Sequence, residues 1–203
     1  YFLDGYARGE TPNPCLMCNR QIRWTFLLNH ALALGAEFMA TGHYVRKQNA
    51  EGRHQLLRAV DHSKDQSYVL HVLKQDQLAH AIFPVGEFPK PEIRRIAADF
   101  GLPTASRADS QDLCFLAGED YRGFLQRNAA EILQPGEIVT TSGKLIGKHD
   151  RLANYTIGQR KGLNVASPVP LYVITKQASN NILVVGTLDE LGFTELTARD
   201  VNW

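Results

Sequence analysis

The sequence predicts an α/β protein, with a domain built on a parallel sheet followed by a smaller, mostly β domain. Three observations carry this. An apolar-periodic run is followed by a short apolar stretch and a Gly turn, which is the grammar of a parallel α/β sheet. After Gln134-Pro135-Gly136 the texture changes to β-branched residues, Gly turns and alternation. The 203 residues suffice for one large domain or two small ones. A chain of that length buries roughly 70% of its unfolded surface on folding.

Each element has its own signal. Thr11-Pro12-Asn13-Pro14 carries two prolines, which restrict themselves and the residues before them, so the stretch reads as a rigid, extended loop. Ile22, Phe26, Leu27, Ala31 and Leu34 then follow a helical period, with Gly35 as the stop and Cys15 to Asn19 in the first turn. Residues 37–41 read as a short buried strand ending at Gly42-His43. Ligands of parallel sheets sit beyond such strand ends, so both residues are expected there. Residues 45–47 and 55–59 flank Asn49-Ala50-Glu51-Gly52 as a hairpin. Residues 64–73 predict a helix. Residues 89–100 predict another, with Pro91 near its first turn and Gly101 after its end. Residues 119–128 predict a short helix. Residues 137–141 and 144–147 flank Ser142-Gly143, and residues 171–175 and 182–185 flank Ser179-Asn180-Asn181, both hairpin signals. A boundary therefore falls between about 116 and 134, and no repeat or low-complexity tract appears.

Composition narrows the function classes. Hydrophobic residues make up 44% and charged residues 21%, an ordinary globular balance. Net charge is +1, so no global basic field holds a nucleic acid, and any RNA contact must come from local groups such as Arg20, Arg23, Arg151, Arg160 and Lys161. No apolar run approaches the ~20 residues that span a membrane, and no signal peptide opens the chain. The chain begins mid-pattern at Tyr1-Phe2-Leu3 without Met, which reads as a missing N-terminus. Three cysteines including a CxxC pair do not make a secreted disulfide framework, so a reducing, cytoplasmic setting is expected.

The chemistry concentrates at Cys15-Leu16-Met17-Cys18. Amides at a helix N-terminus favour thiolate, hence a nucleophile or a metal ligand. The same spacing also suits two buried small hydrophobes. Cys114, in Asp109-Ser110-Gln111-Asp112-Leu113-Cys114-Phe115, is by default a core cysteine. Lys64-Asp65-Gln66-Ser67 is either a functional polar cluster or an ordinary cap. His43 is a ligand contact or a satisfied structural histidine. Tyr155 to Leu163 sets Gln159, Arg160 and Lys161 between glycines, as a phosphate-contacting loop or as a turn with solvated charges.

Together the strings TPNPCLMCN, ATGHY, KDQSYVL, DSQDLCF, YTIGQRKGL and NNILVVG, in this order, resemble the tRNA 2-thiouridylases of the MnmA family. The resemblance runs from about residue 1 to the end. It implies a partial Rossmann-like domain of the adenine nucleotide alpha-hydrolase type over 1–118, a small β-rich domain over 119–195, and the start of a C-terminal β-barrel over 196–203. The family's SGGxDSS-like nucleotide loop is not found here, so this piece alone is expected to be inactive.

The resemblance further implies an ATP-dependent tRNA-uridine 2-sulfurtransferase, using ATP with Mg, acting on tRNA with a wobble uridine and fed by a persulfide donor protein. Cys114 would carry the persulfide and Cys18 would be the nucleophile that releases the sulfur, leaving a Cys18–Cys114 disulfide. Asn13, Pro14 and Cys15 would face the target base. Gly42 would approach ATP, and His43, Lys64, Asp65 and Gln66 would contact tRNA. Many members carry Asp where this chain has Cys15, which creates the CxxC. Two rivals follow: an iron–sulfur cluster on Cys15, Cys18 and Cys114, or a non-catalytic tRNA-binding or sulfur-relay module.

Overall fold

The structure, a computed structural model, describes residues 1–107, 113–116, 118–193, 195, 197–198 and 201. The chain divides into two compact units, Tyr1–Pro14 with Asp112–Arg199, and Cys15–Gln111 with Asp200–Trp203. The first fourteen residues cluster with the later unit. Most of 196–203 lies outside the described residues.

The unit from Cys15 holds the α/β part. Helix α1 (Phe2–Ala7) belongs to the other unit, and α2 (Pro14–Met17) leads into a ten-residue π-helix, Cys18–Leu27, and then α3 (Leu28–Ala33). The helix thus forms where expected, but with a different inner face. Its i→i+5 winding turns Asn19 and Trp24 inward together, with Leu28 following. Ile22, Phe26, Leu27 and Leu34, which a regular helical period would bury, are exposed. The expected strand over 37–41 shrinks to β1 (Met39–Ala40), which is not buried. It pairs in parallel with β4 (Ala81–Ile82), Met39 opposite Ala81.

The first hairpin is longer than expected. Strands β2 (Val45–Ala50) and β3 (Arg53–Arg58) pair antiparallel around Glu51 and Gly52. Both central residues have positive φ, 52° and 76°, as a tight primed turn requires. The helix expected over 64–73 does not form, and only a 3-10 turn, Ser67–Val69, is present. Helix α4 (Gln75–Ala79) follows. Helix α5 (Lys90–Asp99) agrees with its Pro and Gly signals, and Gly101 sits at φ 66° beyond its end. The core is Trp24, Leu28, Val45, Leu70, Leu73, Leu78 and Phe83 with their neighbours.

The other unit centres on a four-stranded sheet in the order β6-β5-β8-β7. Its strands are β5 (Gly136–Thr140), β6 (Leu145–His149), β7 (Tyr172–Gln177) and β8 (Ile182–Gly186). Both expected hairpins form, and they join through a parallel β5–β8 pairing. Asn181 turns the second hairpin at φ 54°, and its side-chain amide donates to Gln134 O and Pro135 O. Ile138, Leu152, Leu163, Val173, Leu183 and Val185 fill the core. Helix α6 (Tyr121–Asn128) starts on Asp120, whose carboxylate accepts from the Arg122 amide. It builds a second cluster, Leu125, Leu133 and Ala153, against which Phe2, Leu3 and Tyr6 of α1 pack. The short helix α7 (Leu188–Leu191) follows β8.

Candidate functional site

The CxxC segment lies at the start of the long helical run. Cys15 is exposed in the first turn and Cys18 is half-buried where the π-helix begins. The pair is therefore not two buried hydrophobes. Nor is Cys114 a core residue: it is exposed, on the 3-10 turn Cys114–Leu116. That turn is held by aromatic packing, since the Phe115 ring lies 5.2 Å from Phe2 and 5.4 Å from Phe124, both edge-on. None of the three cysteines forms a disulfide. Residues 108–112, the polar lead into Cys114, lie outside the described residues.

One residue beyond Cys18, Asn19 is buried and donates to Val69 O at 3.2 Å. Its side-chain oxygen accepts from Arg23 Nη1 at 3.0 Å, and that nitrogen also lies 3.0 Å from His43 Nε2. A guanidinium only donates, so Nε2 accepts and the ring proton sits on Nδ1, 2.8 Å from Thr41 Oγ1. Burial first, and the neighbouring Arg23 charge second, push the His43 imidazole down to about 4. His43 is therefore neutral near pH 7, with both ring nitrogens engaged inside the protein. Asn19 escaped the sequence reading. The signal available was its spacing from Arg23, four residues along one helical run.

Gly42, just before this histidine, is exposed, and a Cβ built on it would meet nothing within 4 Å. The backbone there is open to a close-approaching group, as a nucleotide site needs.

The Lys64-Asp65-Gln66-Ser67 cluster braces the hairpin. The Tyr44 amide donates to Gln66 Oε1 at 2.9 Å, and the Gln66 amide returns a bond to Tyr44 O at 2.8 Å. Asp65 accepts from the Ala59 amide at 2.8 Å and from Ser67 Oγ at 2.7 Å. These bonds hold its carboxyl below the usual range against the opposing effect of burial, the largest single influence on it. Such side-chain-to-backbone bonds compete with helix formation, which is why 64–73 stays irregular.

In the other unit, Asn13 is half-buried at the end of the extended loop, and Pro14, also half-buried, opens α2. Tyr155 to Leu163 forms a braced turn. Gly158 donates to Val173 O at 2.8 Å and Val173 returns a bond to Gln159 O at 2.9 Å. Gln159 accepts from the Thr156 amide and donates to Lys161 O. Gly158 and Gly162 take φ of 84° and 79°, and Arg160 and Lys161 remain exposed.

Among the described residues no group of three His, Cys, Asp or Glu could hold a metal ion. Among the described residues no helix is long and apolar enough to cross a membrane.

A family model described as the tRNA methyl transferase HUP domain matches residues 1–118, and one described as the tRNA methyl transferase PRC-barrel domain matches 122–187. The chain is 46% identical over 205 residues to a protein named tRNA-specific 2-thiouridylase MnmA 1 from Thermoanaerobacter sp. (strain X514), covering 100% of this chain and 56% of that protein. It is likewise 46% identical over 205 residues to the tRNA-specific 2-thiouridylase MnmA of Moorella thermoacetica, covering 100% and 57%. Over 203 residues it is 46% identical to the MnmA of Magnetococcus marinus, again covering 100% and 57%. The chain thus spans just over half the length of these relatives.

Proposed function

Because the chain belongs to the MnmA family of HUP and PRC-barrel domain proteins, we propose that it supplies the sulfur-transfer half of a tRNA 2-thiouridylase. The observation that carries this reading is the presentation of the sulfurs. Cys15 and Cys114 are exposed, Cys18 is half-buried on an anchored helical start, and none is tied in a disulfide. Accessible thiols suit sulfur relay.

In this reading a donor protein loads a persulfide onto Cys114. Its terminal sulfur attacks carbon 2 of the wobble uridine. The Cys18 thiolate attacks the Cys114 sulfur and breaks the persulfide S–S bond, leaving both electrons with the sulfur now on the base. The activated oxygen leaves, and the two cysteines end as a disulfide that a dithiol reductant must reopen. ATP with Mg supplies the activation, by turning the carbonyl oxygen into a leaving group, and Gly42 would lie against it. The disulfide step needs the two Cα atoms within ~7 Å.

Asn13, Pro14 and Cys15 face the target base, which has left its stack at a cost of a few kcal/mol. Thiol chemistry at Cys15 offers only a weak proton acceptor. Lys64 contacts the tRNA. His43, neutral and doubly bonded, Asp65 and Gln66 shape the surface that meets it.

The test is replacement of Cys18 or Cys114 by Ser in a polypeptide competent for thiolation, with 2-thiouridine in the tRNA measured by mass spectrometry. Loss of product in both variants is expected. Product at the unmodified level in either would refute the persulfide route.

A further inference from the structure

Lys176 lies outside every motif above, yet it is only 9% exposed. It belongs to β7, and its Nζ donates to Tyr155 O at 2.8 Å and to Glu10 O at 3.2 Å. Burying an ammonium is unfavourable unless its donors are used. Here two backbone carbonyls take them. An apolar side chain would fill the same volume without that desolvation, so what the lysine adds is registration of particular backbone atoms.

Those atoms begin the two motif loops of this unit. Glu10 directly precedes Thr11–Pro14, and Tyr155 opens the Tyr155–Leu163 turn. One residue further along each strand of chain the tie repeats, with Thr11 Oγ1 donating to Thr156 Oγ1 at 3.3 Å. Residue 9, just before Glu10, is glycine at φ 77°, a backbone conformation that L side chains rarely adopt. A Cβ there would sit 3.4 Å from Lys176 Cβ, Lys176 O and Ala178 Cβ. Pro12 packs on Gly5, its Cβ 2.9 Å from where a Gly5 Cβ would stand.

We propose that Lys176 is a positioning residue, registering the Thr11–Pro14 loop against the Tyr155–Leu163 loop so that Asn13 meets the target base in one fixed attitude. The role at the base rests on the thiolation reading, whereas the lock between the loops does not.

Two variants test it. Lys176→Met keeps most of the length and removes the donors. Thr11→Val removes the outer, exposed tie and reports even if the first variant folds poorly. Amide hydrogen exchange should speed about tenfold or more at Gly9, Glu10, Thr11 and Asn13 in Lys176→Met and about threefold in Thr11→Val, while β5 and β8 stay within about twofold. In a thiolating polypeptide, kcat should fall about tenfold or more in Lys176→Met with KM for tRNA within about threefold, the signature of lost orientation. Loop exchange unchanged in both variants, or sheet and loop loosening together, overturns the lock. An opened loop with unmodified kcat overturns the positioning role. An opened loop in a polypeptide that also carries the nucleotide loop, yet never thiolates tRNA in its unmodified form, supports the lock and rejects the thiolation reading instead.

Discussion

Arg23 Nη1 donates to His43 Nε2 across 3.0 Å, and the same nitrogen donates to Asn19 Oδ1 at 3.0 Å. One guanidinium thus ties the residue after Cys18 to the residue after Gly42. The two motifs of this unit most charged with chemical meaning are held by a shared cation rather than by each other. A neutral imidazole and a neutral amide solvate that cation, and no carboxylate is needed at the centre of the network.

This makes the stability of the unit fall with acid. The His43 value of about 4 lies below the ordinary 6.5, so the unfolded chain takes up the proton first. Above about pH 6.5 both states are neutral and nothing is lost. Between about pH 6.5 and 4 stability should fall by about 1.4 kcal/mol per pH unit, on the order of 3 kcal/mol in total. Urea unfolding at stepped pH measures this, and His43→Gln should flatten the slope. An NMR titration of His43 with its midpoint near 6.5 would contradict it.

Removing the cation should unsettle both neighbours. Arg23→Met leaves the buried Asn19 oxygen without its donor, at about 1–3 kcal/mol. It also removes the smaller of the two influences on His43, so the histidine should titrate higher than about 4 yet still below 6.5, burial remaining the larger one. Thermal unfolding and the same titration check both statements.

Asp65→Ala should lose about 1–3 kcal/mol, because the Ala59 amide, on a residue with no exposed surface, is left without its acceptor. Any fall in tRNA affinity for this variant should therefore come with a lower Tm. A normal Tm together with weakened binding would show that Asp65 acts on the ligand directly.

Gly86→Ala should be among the most damaging single changes in this unit. A Cβ on Gly86 would stand 1.8 Å from Val45 O, inside the atom, and the obstacle is backbone rather than a movable side chain. Overpacking of this kind costs about 1–3 kcal/mol or more. Denaturant midpoints of the alanine variant against the parent measure it, and a loss under about 0.5 kcal/mol would contradict the packing.

Local signals were legible where local physics decides. Glu51-Gly52 and Asn181 must take positive φ, and Pro89, Pro91 and Gly101 bracket α5, so these elements were readable in the sequence. Where distant groups decide, the reading failed. The π-helical winding of Cys18–Leu27 is selected by burying Asn19 and Trp24 together, and a period of 3.6 then assigns Ile22 and Phe26 to the wrong face. The region 64–73 carries a helical pattern, but Asp65 and Gln66 commit their side chains to the Ala59 and Tyr44 amides instead. Of the candidate site, the cysteines and His43 stood out by type, but Asn19 and Lys176 did not. Their roles come from partners 50 and 166 residues away.

The docking of α1 sets an order of events during synthesis. Phe2, Leu3 and Tyr6 find their apolar partners on and beyond α6, which starts at Tyr121. At about 5–20 residues per second a ribosome takes roughly 6–23 seconds to advance from Tyr6 to Tyr121. Throughout that interval the intervening Cys15–Gln111 stretch emerges and can close its own core, while α1 still lacks its partners on and beyond α6. The later unit can therefore be completed only after the earlier one has been made.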